Sequence, residues 1–203
     1  MRLAAFRLVQ GLYYLLLGAW LGALIMLVIA AATAFGVIRE FDPTLPAQTW
    51  QAAHLADRHS DILAGHVVGT ALDRLAWLQG LCAGGALACT LLQGSVFRGY
   101  LRGCRFGWRN LLRTSLILFA GVLFALQVAW VNPAVRETRA AIYAEDAPAA
   151  ERQAAEVEFA TWHQMSETLG GATMILLAGT ILFSPFCFAA GFPRAASCEH
   201  RLS

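Results

Sequence analysis

The chain has 203 residues, 58% of them hydrophobic and only 14% charged, a balance well outside that of a water-soluble domain of this length. The net charge of +2 is carried entirely by Arg, with no Lys, and no basic stretch interleaves with aromatics, which excludes nucleic-acid binding. The all-Arg usage needs no explanation beyond a GC-rich bacterial genome.

Four apolar runs follow one another along the chain: Leu12–Phe35, Leu75–Phe97, Leu111–Val131 and Leu169–Phe192. Each is close to or above the ~20 residues that cross a hydrocarbon core of about 30 Å at 1.5 Å per residue. They predict an all-α integral membrane four-helix bundle, with residues 1–203 forming a single membrane domain. Arg2 and Arg7 before the first run, and the Ala32-Thr33-Ala34 triplet near its end, have the look of a cleavable signal peptide. The apolar stretch from Leu8 to Ile38 is too long for one, so a retained anchor is expected.

After the first run, residues 39–74 open on a Pro43 and Pro46 turn and then read as helix, a surface extension leading into the second run. Residues 98–110 form a short loop. Residues 132–168 follow the third run from Asn132-Pro133 onward; there Asp146 stands two residues ahead of Pro148 and Glu151 suits a helix N-terminus, so the last helix is expected to project outward. Pro185 should kink or interrupt that helix, because it lacks the N–H its turn needs. Gly18 with Gly22, Gly80 with Gly84, and Gly170-Gly171 are handles for close helix packing.

Orientation follows from charge. Arg98, Arg102, Arg105, Arg109 and Arg113 crowd the loop between the second and third runs with no acidic residue, so that loop is expected in the cytoplasm. Both termini then lie inside, flanked by Arg2, Arg7, Arg194 and Arg201. The two remaining loops hold all of the 13 acidic residues except Glu199 and face outward. Trp77, Trp130 and Trp162 mark the outer interface, and Tyr13, Tyr14, Tyr100 and Trp108 the inner one. The expected location is the inner (cytoplasmic) membrane of a bacterial cell.

Cys82, Cys89 and Cys187 fall within apolar runs, Cys104 in the cytoplasmic loop and Cys198 in the C-terminal tail. None lies in an outer loop, which argues against a disulfide framework and for small buried hydrophobes. Chemistry, if any, belongs to the outer histidines and carboxylates. His54, Asp57, His59 and Asp61 would suit zinc or copper, yet their spacing fits no strict ligand motif and a solvated helix face is the preferred reading. His66 and Asp73 precede the second span; His163, Ser166 and Glu167 share one side of the helix before the fourth. A polar lock from Asp73 or His66 to His163 is preferred over a proton or metal relay through the same residues. Ser166 and His163 have no nucleophile elbow or oxyanion turn around them, so no enzyme is expected, and no cofactor beyond a candidate metal ion.

The stretches Leu16-Leu17-Gly18-Ala19-Trp20-Leu21-Gly22 and Ala64-Gly65-His66-Val67-Val68-Gly69, and above all Phe159-Ala160-Thr161-Trp162-His163-Gln164-Met165-Ser166 after Asn132-Pro133, resemble the transmembrane protein 205-like family. The resemblance covers most of the chain. It implies a four-helix membrane bundle and supplies no reaction. Its link to tolerance of metal-containing drugs makes metal handling an implied theme, although His54 and His59 lie outside the shared pattern. The expected function is a small accessory or self-associating membrane protein whose partners are the lipid bilayer, a second copy or a larger membrane complex. The competing reading is a metal-handling or small-solute transporter, with His66, Asp73, His163 and Glu167 around an opening and Gln10, Gln79 or Gln127 lining its path.

Overall fold

A computed structural model describes residues 2–41, 43, 59–96, 108–144 and 147–189. These residues form helices α1 (Arg2–Phe41), α2 (His59–Ser95), α3 (Trp108–Leu126), α4 (Asn132–Tyr143) and α5 (Ala149–Ala189), with a π-helical turn at Gln127–Val131 joining α3 to α4 without a break. Four helical stretches, Ala4–Phe41, His59–Ser95, Asn110–Tyr143 and Ala149–Pro185, are long and apolar enough to cross a membrane, as a multi-pass membrane protein requires. No strand occurs among the described residues.

The helices outrun a bilayer. α1 has 40 residues, about 60 Å at 1.5 Å per residue against a core of about 30 Å. The end of α1, the start of α2, all of α4 and the start of α5 lie at the same end of the bundle, called here the Asp73 end; the opposite one is the Arg113 end.

The core repeats one spacing in all four layers. Tyr13, Leu17, Trp20 and Leu24 of α1, Cys82, Ala86, Cys89 and Gln93 of α2, Arg113, Ile117 and Ala120 of α3, and Thr173, Leu177, Thr180 and Ser184 of α5 are buried. Steps of four, three and four residues place each set on one face, the 3.5-residue seam of helices packed at shallow angles. α2 contributes Cys82, Ala83, Ala86 and Cys89, all small, so α1 comes close enough to bury Trp20 completely, and the indole meets Phe124 of α3 edge to face with centroids 5.8 Å apart. Cys82 and Cys89 are free and buried, serving as small apolar side chains.

The chain pairs α1 with α2, and α3 and α4 with α5, while α2 and α3 touch over little of their length. Hydroxyls inside these helices are satisfied locally: Thr90, Thr173, Thr180 and Ser184 each donate to the carbonyl four residues back, at 2.7–2.9 Å. Pro185 does not interrupt α5, which runs through it to Ala189, as packed membrane helices permit. The third apolar stretch likewise does not stop at Val131. The Asn132 N–H donates to the Gln127 carbonyl, an i→i−5 bond. Widening the turn there makes room for Pro133, whose ring would collide with the carbonyl four residues back in a regular helix.

Gly85 tests the α1–α2 seam. A Cβ there would lie 2.8 Å from Leu16 Cδ1, whereas one on Gly84 meets nothing within 4 Å. Thermal unfolding in detergent should show Gly85→Val destabilised by about 1–3 kcal/mol and Gly84→Val little changed; equal loss in both would place the seam elsewhere.

Candidate functional site

Polar side chains gather at both ends of the bundle. At the Asp73 end, the projecting helices are tied through arginines. Arg39 of α1 donates Nε to Asp61 Oδ1 of α2 at 3.0 Å. Arg136 of α4 is ion-paired with Asp73 of α2, and both side chains stay more than half exposed. Arg139, one turn along α4 from Arg136 and half-buried, donates Nη1 to the Gly65 carbonyl at 3.0 Å and lies 5.7 Å from the Phe159 ring centroid of α5. Its guanidinium occupies a slot left by missing side chains on α2: a Cβ at Gly69 would lie 3.1 Å from Nη1 and one at Gly65 3.8 Å from Cζ. Arg139 thus fastens three helices over a small core of Ile62, Ala64, Ile142 and Ala155.

Two cavities flank Arg136. A groove of about 600 Å³ runs between α2 and α3, lined by Asp73, Trp77, Gly80, Leu81, Phe124, Val128 and Arg136 among others. A smaller space of about 190 Å³ is lined by Ile62, His66, Arg136, Arg139, Ala140 and Tyr143.

The Arg113 end holds a buried guanidinium. Arg113 of α3 is 2% exposed. Its Nη2 donates to Gln93 Oε1 at 2.9 Å, Gln93 Nε2 donates to Gln10 Oε1 at 2.8 Å, and its guanidinium lies 5.1 Å from the Tyr13 ring centroid. A buried arginine in a membrane bundle needs partners from within; here α2 supplies an acceptor, Gln93 Oε1, and α1 a ring face, Tyr13. A third polar contact lies between these ends, where Gln127 Nε2 at the π turn donates to Ser166 Oγ of α5 at 3.3 Å.

The residues expected to act together are only partly brought together. Asp73 does cross to another helix, but its partner is Arg136 of α4 and not His163. His66 is exposed on α2 at the rim of the smaller cavity, near Arg136 and Arg139. His163 Nε2 lies 3.2 Å from Glu167 Oε1 on its own helix, and its ring stacks on Phe159 at 5.7 Å between centroids. Ser166 Oγ accepts from Gln127 of the π turn. Gln79 is buried at 5% exposure. His54 and Asp57 lie outside the described residues. Among the described residues no three His, Cys, Asp or Glu side chains gather as metal ligands would. Arg136 and Arg139 escaped the sequence reading because they stand in a predominantly acidic segment, where charge counting treats them as minority solvated cations. Their spacing of three, on one helical face opposite Gly65 and Gly69, was the available signal.

No protein-family model, no curated protein and no solved structure matches this chain.

Removal of the two arginines should separate a fastening from a surface pair. Arg139→Gln loses the carbonyl and ring contacts of a half-buried guanidinium, an expected cost of about 1–3 kcal/mol; Arg136→Gln breaks an exposed pair worth at most about 1 kcal/mol. Denaturation in detergent should rank them in that order. At the other end, Gln93→Leu takes one acceptor from Arg113 and one donor from Gln10, and should cost about 1–3 kcal/mol by the same measurement.

Proposed function

We propose that this protein is a self-associating accessory protein of a bacterial inner membrane, with both termini in the cytoplasm, acting through helix–helix contacts rather than through a reaction. One observation carries the reading: the glycines divide into two sets. Gly65, Gly69, Gly80, Gly85, Gly121 and Gly179 each face a side chain of a neighbouring helix within 4 Å of where a Cβ would be, whereas Gly84 and Gly94 of α2, Gly170 and Gly171 of α5, and all four of α1, Gly11, Gly18, Gly22 and Gly36, face nothing.

Gly11, Gly18 and Gly22 lie with Leu15, Met26 and Ile29 on the side of α1 opposite the buried Tyr13, Leu17, Trp20 and Leu24. Hydrophobic burial does not drive association in lipid, so tight backbone approach over Gly-x-x-x-Gly with flanking knobs is what a second copy would exploit. The polar side chains support the same reading, because Gln10, Gln93, Arg113, Gln127 and Ser166 bond to one another across the helices and are not held out toward a solute. Kinship with the transmembrane protein 205-like family accords with this architecture and is part of the proposal.

The orientation rests on the Arg-rich segment 98–113 against the acidic segments at the other end. Reporter fusions after residue 144 should be active only outside the cytoplasm, and fusions after residue 203 only within it. For association, sedimentation in detergent should show a dimer or larger species that Gly18→Ile with Gly22→Ile weakens by roughly tenfold in Kd. A wild-type protein that remains a monomer at high concentration in the detergent would overturn the reading.

A further inference from the structure

The groove between α2 and α3 has the polarity profile of a single amphiphile. Its charged end is the Asp73–Arg136 pair, and from there Trp77 and Leu81 of α2, Val128 of the π turn and Phe124 of α3 line it with apolar surface. From Asp73 to Leu81 is about 12 Å of helix and from Arg136 to Phe124 about 18 Å, which matches the ~15 Å depth of one hydrocarbon leaflet. Gly80 forms part of the floor, where a Cβ would touch the Phe124 ring at 3.9 Å, so the missing side chain keeps the groove deep. Trp77 stands on the wall with 79% of its surface exposed, one turn inward of the charges, at the level where indoles meet headgroups.

We propose that this groove holds one aminophospholipid, with an acyl chain along the apolar wall and a phosphoethanolamine head bridging Arg136 and Asp73. The head is specified by charge complementarity. The mouth offers one cation and one anion, each more than half exposed, and neither is used up by the other: a guanidinium has five N–H donors and a carboxylate two acceptor oxygens. A phosphate on Arg136 and a primary ammonium on Asp73 extend the pair into an alternating ring of four charges. A headgroup that is only anionic brings its charge against Asp73 with nothing to offset it. A choline head has no N–H for the carboxylate. Arg139 does not compete for the phosphate, since it is already engaged by the Gly65 carbonyl and Phe159. The groove lies between α2 and α3, apart from the exposed glycine face of α1, so it stands whether or not the protein self-associates.

The test uses the full chain, exchanged into detergent with equimolar phosphatidylethanolamine, phosphatidylglycerol and phosphatidylcholine of identical acyl chains, with retained lipid counted by native mass spectrometry. One phosphatidylethanolamine should be retained roughly tenfold over phosphatidylcholine, the loss expected for a charge-assisted hydrogen bond. Asp73→Asn should abolish the preference over phosphatidylcholine, and Arg136→Gln should lower retention of all three lipids; both positions are exposed, so each variant should lose no more stability than an exposed ion pair supplies. Gly80→Leu, which fills the floor without touching the charges, should lower retention of every head. Equal retention of the three lipids, preference for phosphatidylglycerol, a phosphatidylethanolamine preference that survives Asp73→Asn, or retention unchanged by Arg136→Gln would each overturn the proposal. If Gly80→Leu fails to fold, the two charge variants decide it.

Discussion

A hydrocarbon environment offers no hydrogen bonds, so every polar group carried on these helices must be met from within the protein. That constraint orders much of what the bundle does. Threonine and serine hydroxyls turn back onto their own helices. The longer polar side chains cannot do so and reach across: Gln10, Gln93 and Arg113 form one chain of contacts over α1, α2 and α3, and Gln127 finds Ser166 on α5. The π turn belongs to the same logic. Pro133 withdraws a backbone donor, the helix widens to an i→i−5 bond at Asn132, and the chain continues without exposing a break.

Small residues set the distances over which those contacts operate. Cys82, Ala83, Ala86 and Cys89 keep α2 thin where α1 lies against it, which allows a Trp to be fully buried on the facing helix. The same device takes another form where the helices project beyond the apolar layer. There Gly65 and Gly69 leave room for the Arg139 guanidinium, and a carbonyl in place of a carboxylate accepts its hydrogen bond. An arginine anchored by a neutral carbonyl and an aromatic face holds three helices without a second charge.

The two ends of the bundle consequently differ in what they can offer a partner. At the Arg113 end one guanidinium, that of Arg113, is buried among α1, α2 and α3. The Asp73 end keeps its charge pair at the surface, above an apolar groove that exists because α2 and α3 diverge. The proposed lipid groove and the proposed contact face for a second copy lie on separate surfaces, between α2 and α3 and along the glycine face of α1.

Hydropathy and length made the helical class legible, because a run of apolar residues long enough to cross a bilayer has few other structures open to it. The continuation of α2 and α5 beyond their apolar parts was also legible, from the helical character of residues before Arg74 and the Asp146 to Glu151 start signal. Gly18 and Gly22 were visible as packing handles, but that they face outward while Gly80 and Gly85 face inward is a property of the assembled helices. Asp73 was recognisable as a residue needing a partner; that the partner is Arg136 and not His163 depends on which helix lies beside α2 at that height. Arg113 reads in sequence as the last member of a solvated basic cluster and is in fact buried, since its position on α3 coincides with the inward face shared by Ile117 and Ala120. Periodicity along one chain fixes which residues share a face of a helix, whereas the partner each face meets is decided by how four nearly equivalent apolar cylinders pack, a choice made by small differences in side-chain volume distributed over all of them.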